Sequence, residues 1–143
     1  MVTVNPWLLL IYSVPRHPTS ARVFVWRRLK QLGAEALQDA TWALPSGTRT
    51  LEHFQWLVSE IREMRGRATL WEARLAGGDE RALRRRFEEP LEAGYRKLLA
   101  DLRMRGADRP ALARRFQLLQ ARDYFDCALG RRVRMALQKK GNR

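Results

Sequence analysis

The sequence predicts an α+β protein, with a small sheet and its helices over residues 1–76 and a basic helical extension over residues 77–143 packed on that sheet domain as one module. Three observations carry this prediction. Trp7–Val14 is an apolar run broken only by Ser13, of strand length and hydrophobic in both of its alternating sets. Two stretches on either side of a short hairpin pattern carry apolar residues at helical spacing, and Gly or Pro bounds each of them. Beyond Gly77-Gly78-Asp79 only helical spacing recurs.

Because Trp7, Leu9 and Ile11 alternate with Leu8, Leu10 and Tyr12, the first strand should be central and covered on both faces. Pro15 and Pro18 stop it, since neither can donate to a ladder, and Thr19 or Ser20 can cap a helix running to Leu32. Val25, Trp26, Leu29 and Leu32 form the expected apolar stripe of that helix; Arg22, Arg27, Arg28 and Lys30 fall on its exposed flank, and Gly33 closes it. Glu35–Gln38 and Thr41–Leu44 follow as two short strands turning at Asp39-Ala40. After the break at Pro45-Ser46-Gly47, Thr50 is the expected cap of a second helix with Phe54, Leu57, Val58 and Ile61 inward, ended by Gly66. Ala68–Leu75 is the fourth strand, with Thr69, Trp71, Ala73 and Leu75 on its apolar side and Glu72 and Arg74 on the other. The order β-α-β-β-α-β predicts a ferredoxin-like sheet with both helices on one face, so the opposite face needs cover from the rest of the chain or from a second subunit in a homodimer.

In the second half Leu83, Phe87, Leu91, Tyr95, Leu98 and Leu102 mark a long helix that Pro90 should kink and Gly106 should terminate. Asp108-Arg109-Pro110 opens another helix with Leu112, Phe116 and Leu119 inward, and Gly130 is expected to break it. A last short helix over residues 131–138 buries Val133 and Leu137 before the basic end KKGNR.

A chain of 143 residues removes roughly 68–70% of its unfolded surface from water on folding, enough for a core without staples. Its longest apolar run is far short of the ~20 residues needed to span a bilayer, and no basic stretch or cleavage site marks a leader, so the expectation is a cytoplasmic protein with no membrane partner. The single cysteine, Cys127, cannot form an internal disulfide, which agrees with a reducing compartment. Of 28 cations 24 are arginine, against 15 acids, for a net charge of +13. Residues 1–76 hold ten cations and six anions, and residues 77–143 hold 18 and nine. A polyanionic partner fits this excess, as does a surface on which arginine codons of a GC-rich genome have replaced lysine.

Catalytic chemistry is not legible. His17 and His53 lie in different elements, too few N/S donors exist for a structural zinc site, and no phosphate-binding glycine loop or nucleophile elbow occurs. The end of the first strand, Tyr12-Ser13-Val14, lacks the carboxylate with which a nuclease of this fold would hold a divalent cation. No cofactor and no enzyme activity are therefore expected. Cys127, beside Phe125 and Leu129, reads as a small buried hydrophobe, and Asp123 and Asp126 as caps of the helix ends flanking Gly130. Four basic clusters remain as binding candidates: Arg27-Arg28-Lys30 with Arg22, Arg84-Arg85-Arg86, Arg114-Arg115 and Arg131-Arg132-Arg134. Each alone is an ordinary solvated helix face. Together on so basic a chain they make a surface for double-stranded DNA, touching phosphates rather than reading bases.

The segment WLLLIYSVP, the helix Val23–Ala34 and the Leu37–Pro45 hairpin with its LQD-x-x-W-x-LP pattern resemble the N-terminal region of the ChrB family, bacterial regulators associated with chromate resistance. Asp123-Tyr124-Phe125 followed by Leu129-Gly130 resembles a second segment of the same family. What the resemblance implies is a cytosolic DNA-binding transcriptional regulator or accessory factor of chromate resistance. Full-length members carry a further C-terminal domain linked with chromate sensing, and this chain is expected to lack it, so the implied partner is a separately encoded sensor domain unless the module acts alone. The expected shape is also similar to the Cas2-like fold of some transcriptional repressors. A chromate- or oxyanion-binding stress protein and an interaction module without DNA binding are the alternatives.

Overall fold

A computed structural model describes residues 5–139; residues 140–143 of the expected basic end lie outside the described residues. The chain divides into two compact units, one reaching to Asp79 and the other starting at Glu80.

The first unit is a four-stranded antiparallel sheet with two helices: β1 (Trp7–Ser13), α1 (Ser20–Leu32), β2 (Glu35–Gln38), β3 (Thr41–Pro45), α2 (Thr48–Glu63) and β4 (Arg67–Ala73). The strand order is β2-β3-β1-β4, so β1 is central as its two apolar faces predicted. Register places Leu8 beside Leu44, and Leu10 between Trp42 and Leu70. This face is buried: Leu8, Leu10, Trp42, Leu44 and Ala68 are all 6% exposed or less. Against it α2 packs on β1 and β4, contributing Phe54, Leu57, Val58 and Ile61, while α1 packs on α2 and buries Val25 and Leu29. Each such large apolar side chain taken fully from water stabilises the fold by about 1.5–3 kcal/mol.

The second face is not fully covered. Trp7 and Ala43 are buried on it, whereas Ile11 and Trp71 are 40% and 53% exposed. β4 therefore presents the opposite side to the one its Trp suggests: Ala68 is buried and Leu70 half-buried, while Thr69 and Trp71 face solvent. The indole of Trp71 donates to the Thr69 hydroxyl at 2.8 Å, which satisfies its polar edge in the open. Strand ends also shift, since β1 stops at Ser13, β3 extends to Pro45 and β4 ends at Ala73 rather than Leu75.

Helix ends obey backbone satisfaction more than side-chain capping. Thr19 stands at the N-cap of α1 without a side-chain bond. Gly33, at φ 76°, closes α1 with its N–H on the Lys30 carbonyl and the Ala34 N–H on the Leu29 carbonyl, each at 3.1 Å. Thr50 does not cap α2, which starts at Thr48 after Gly47. Its buried hydroxyl instead donates back to the Pro45 carbonyl at 2.6 Å and the Gly47 carbonyl at 3.1 Å, tying the strand end to the helix start. α2 ends before Gly66, where an added Cβ would stand 2.6 Å from the Ser13 carbonyl oxygen, so only glycine lets β4 start this close to β1.

The second unit is α3 (Glu80–Leu102), α4 (Arg109–Gln120) and α5 (Ala128–Gln138), with α3 touching both of the others. Leu91, Tyr95, Leu98, Leu112, Phe116 and Val133 form its core. Pro90 lies inside α3, which runs on through it. Asp108 caps α4 by accepting from the Ala111 N–H at 3.1 Å, as its sequence context predicts. Gly130 does not break a helix: α4 has ended ten residues earlier and Gly130 sits buried within α5. A Cβ there would be 2.9 Å from Cζ of Tyr95, so glycine is what brings α5 against that ring.

Candidate nucleic-acid interface

α1 carries the densest exposed cationic surface of the sheet unit. Its inward residues are only Val25 and Leu29, so most of its circumference faces outward, and Arg22, Trp26 and Lys30 recur at i, i+4 and i+8 along one strip. Trp26 was expected in the core; it is 50% exposed. The Lys30 ammonium lies 5.7 Å from its ring centroid, a cation–π contact that holds charge beside the indole.

That strip is one wall of an open cleft of about 850 Å³. Tyr12 and Ser13 at the end of β1, Arg16 in the loop after it, and Gln38 to Ala40 and Trp42 of the β2–β3 hairpin supply the rest. The Tyr12 N–H donates to the Ala40 carbonyl at 3.0 Å, pinning the hairpin turn to the end of β1, with Ala40 in the left-handed region at φ 62°. Three cations, Arg16, Arg22 and Lys30, face one carboxylate, Asp39. Partial burial raises the Tyr12 pKa above its usual 10, opposed by its hydrogen bond with Trp42 and by nearby Arg22, so the hydroxyl is neutral at physiological pH.

Arg27 and Arg28 occupy the other flank of α1, where with Val23 and Phe24 they line a smaller groove of about 580 Å³. Arg28 reaches Glu60 of α2 at 3.8 Å, a loose, partly buried pair. Arg22, Arg27 and Lys30 form no ion pair among the described residues. His53 on α2 has its pKa lowered by burial, then by Arg49 and Arg28, and is neutral near pH 7.

In the helical unit the expected clusters divide. Arg85 is held by Glu92 at 2.9 Å, Glu88 at 3.3 Å and Glu89 at 3.8 Å, and Arg84 bonds Glu88 at 3.2 Å while its guanidinium lies 4.3 Å over the Phe125 ring. Arg86 is exposed on the same helix. Arg115 bonds Asp101 at 2.8 Å and Arg131 bonds Asp126 at 2.9 Å, whereas Arg114 and Arg132 are exposed without an ion pair among the described residues. Arg134 donates to the Gln120 side chain and lies over Phe116. A guanidinium already neutralised by a carboxylate has less to offer a phosphate, so these clusters are weaker anion sites than their sequence suggests.

Asp123 and Asp126 hold the chain entering α5. Asp123 accepts from the Cys127 N–H at 3.1 Å, and Asp126 binds Arg131. Cys127 packs against the helical core. Among the described residues no three His, Cys, Asp or Glu side chains are grouped closely enough to hold a metal ion, and no helix is long and apolar enough to cross a membrane.

Sequence reasoning missed the cleft, because its walls come from three separate elements. Arg16 was the available signal, a cation placed by Pro15 and Pro18 in the loop that leads from a central strand to a basic helix.

Comparison with known proteins places residues 22–108, from Arg22 in α1 to the cap of α4, on the family model described as the N-terminal part of protein ChrB. Protein ChrB of Cupriavidus metallidurans strain CH34 is 32% identical over 76 residues, covering 53% of this chain. The match covers 24% of that protein, so the chain spans about a quarter of the relative's length. No solved structure matches significantly.

Proposed function

The chain belongs to the ChrB family through its N-terminal module, and from that membership we propose that it is a DNA-binding regulator or accessory factor of chromate resistance that performs no bond-breaking chemistry. The observation that carries the proposal is the outward strip of α1, where Arg22, Arg27 and Lys30 stand exposed with no ion pair among the described residues. Duplex DNA is a dense array of phosphates, and cations not held in an ion pair release its counterions without first losing a partner. The sheet unit is proposed to be ferredoxin-like and Cas2-like, a reading supported by its β2-β3-β1-β4 antiparallel order. The absence of Asp or Glu from Tyr12-Ser13-Val14 supports a non-catalytic relative of that fold.

Salt-titrated binding to duplex tests the proposal. Log affinity should fall with log salt at about −0.9 per phosphate neutralised, and Arg22→Gln with Arg27→Gln should reduce the steepness by about 1.8. An unchanged slope in the double variant removes α1 from the interface, and no duplex binding by the parent chain overturns the proposal.

A further inference from the structure

The duplex reading leaves one feature of the cleft unexplained: an indole held half in water on its wall. Phosphates in a duplex are met by cationic and hydrogen-bonding groups, and the π-faces of paired bases are hidden in the stack. Trp26 is 50% exposed beside a concavity of about 850 Å³, a size that accommodates a small planar ligand. Arg16, Arg22 and Lys30 line the same space, so a group entering it meets an aromatic face and positive charge together. Gln38 and Asp39 add an amide and a carboxylate, which can donate to and accept from a base edge.

We propose that this cleft receives an unpaired nucleotide, its base against Trp26 and its phosphate among Arg16, Arg22 and Lys30, so that the module prefers single-stranded or locally opened DNA to fully paired duplex. The charge excess, three cations to one acid, selects an anion. An exposed ring alone would accept any flat apolar molecule; the ring with flanking cations selects a flat molecule that carries a phosphate. Base–aromatic stacking discriminates paired from unpaired strands because only an unstacked base presents its face. The inference rests on the nucleic-acid reading above and adds to it which form of the strand is held.

The test is fluorescence anisotropy with three labelled probes of one sequence: a single strand, its full duplex, and the duplex with a central unpaired bubble. The parent chain should bind the bubble and the single strand about tenfold more tightly than the duplex. Trp26→Ala should erase that preference, read as the ratio of bubble to duplex affinity, and Trp26→Phe should restore most of the ratio. Equal affinity of the parent chain for all three probes overturns the inference, as does a Trp26→Ala variant that weakens all three equally. Failure of the duplex reading looks different: there the salt slope ignores Arg22 and Arg27, or duplex is not bound at all.

Discussion

The Tyr95 hydroxyl donates to the Asp123 carboxylate at 2.8 Å, linking α3 to the segment between α4 and α5 across 28 positions of sequence. The same oxygen accepts from Gln120 Nε2 at 2.8 Å, and Gln120 in turn accepts from Arg134. Asp123 also holds the Cys127 N–H at the start of α5. One buried phenol thus joins all three helices of the unit.

Burial first, and then the bond to Asp123, push the Tyr95 pKa well above its usual 10. A phenol with a raised folded-state pKa stabilises the fold below the unfolded value and loses that contribution as pH climbs past it. Urea unfolding of the parent chain should therefore weaken above about pH 10, and Tyr95→Phe should remove that part of the decline. At pH 7 the same variant should cost about 1–3 kcal/mol, because Asp123 and Gln120 each lose a partner in a part-buried site.

Gly130→Ala should destabilise the helical unit despite alanine's better helix propensity. The added methyl would meet Tyr95 Cζ at 2.9 Å and Gln120 Nε2 at 3.1 Å, and that ring is pinned by its bonds. A loss of about 1–3 kcal/mol in urea unfolding is expected. Gly94→Ala offers the contrast, since its nearest neighbour is the flexible end of Leu119 and its cost should be smaller.

Arg109 should prove structural. Its guanidinium donates to the Ala136 and Leu137 carbonyls at 2.9 and 3.2 Å, satisfying orphan acceptors in the last turn of α5. Arg109→Ala should cost about 1.5–3 kcal/mol and speed amide exchange near the end of α5, where Arg114→Ala should do neither.

Arg85→Gln should change the salt dependence of duplex binding less than Arg27→Gln does. Arg85 already lies among three glutamates, whereas Arg27 has no ion pair among the described residues. Paired titrations of the two variants in the same buffers make the comparison.

Element order was legible because periodicity reports it: the two-sided apolar run of β1 and the i, i+3, i+4 stripes of α2 and α3 leave little choice. Facing was less legible wherever a tryptophan stood. Trp26 and Trp71 look like core by hydrophobicity, yet Val25, Leu29, Ala68 and Leu70 fill that space and the indoles point outward. Glycine misled at Gly130, since a helix break and a close approach of two helices call for the same residue. The ion pairs of Arg84 and Arg85 could have been found, because Glu88, Glu89 and Glu92 sit three, four and seven positions on. Nothing in a linear pattern brings Arg16, Lys30 and Trp42 together; that takes the return of the hairpin beside β1.

The sheet has two outer margins, and neither welcomes a fifth strand. β2 is only four residues long and slips register between Ala36 and Gln38, while β4 shows solvent the charged Arg67 and Glu72. A strand arriving from another molecule would find an irregular ladder on one side and ionic groups to desolvate on the other. Fibril-like recruitment along the hydrogen-bonding direction is thereby disfavoured, which matters for a protein that leaves Ile11 and Trp71 uncovered on one face of the same sheet.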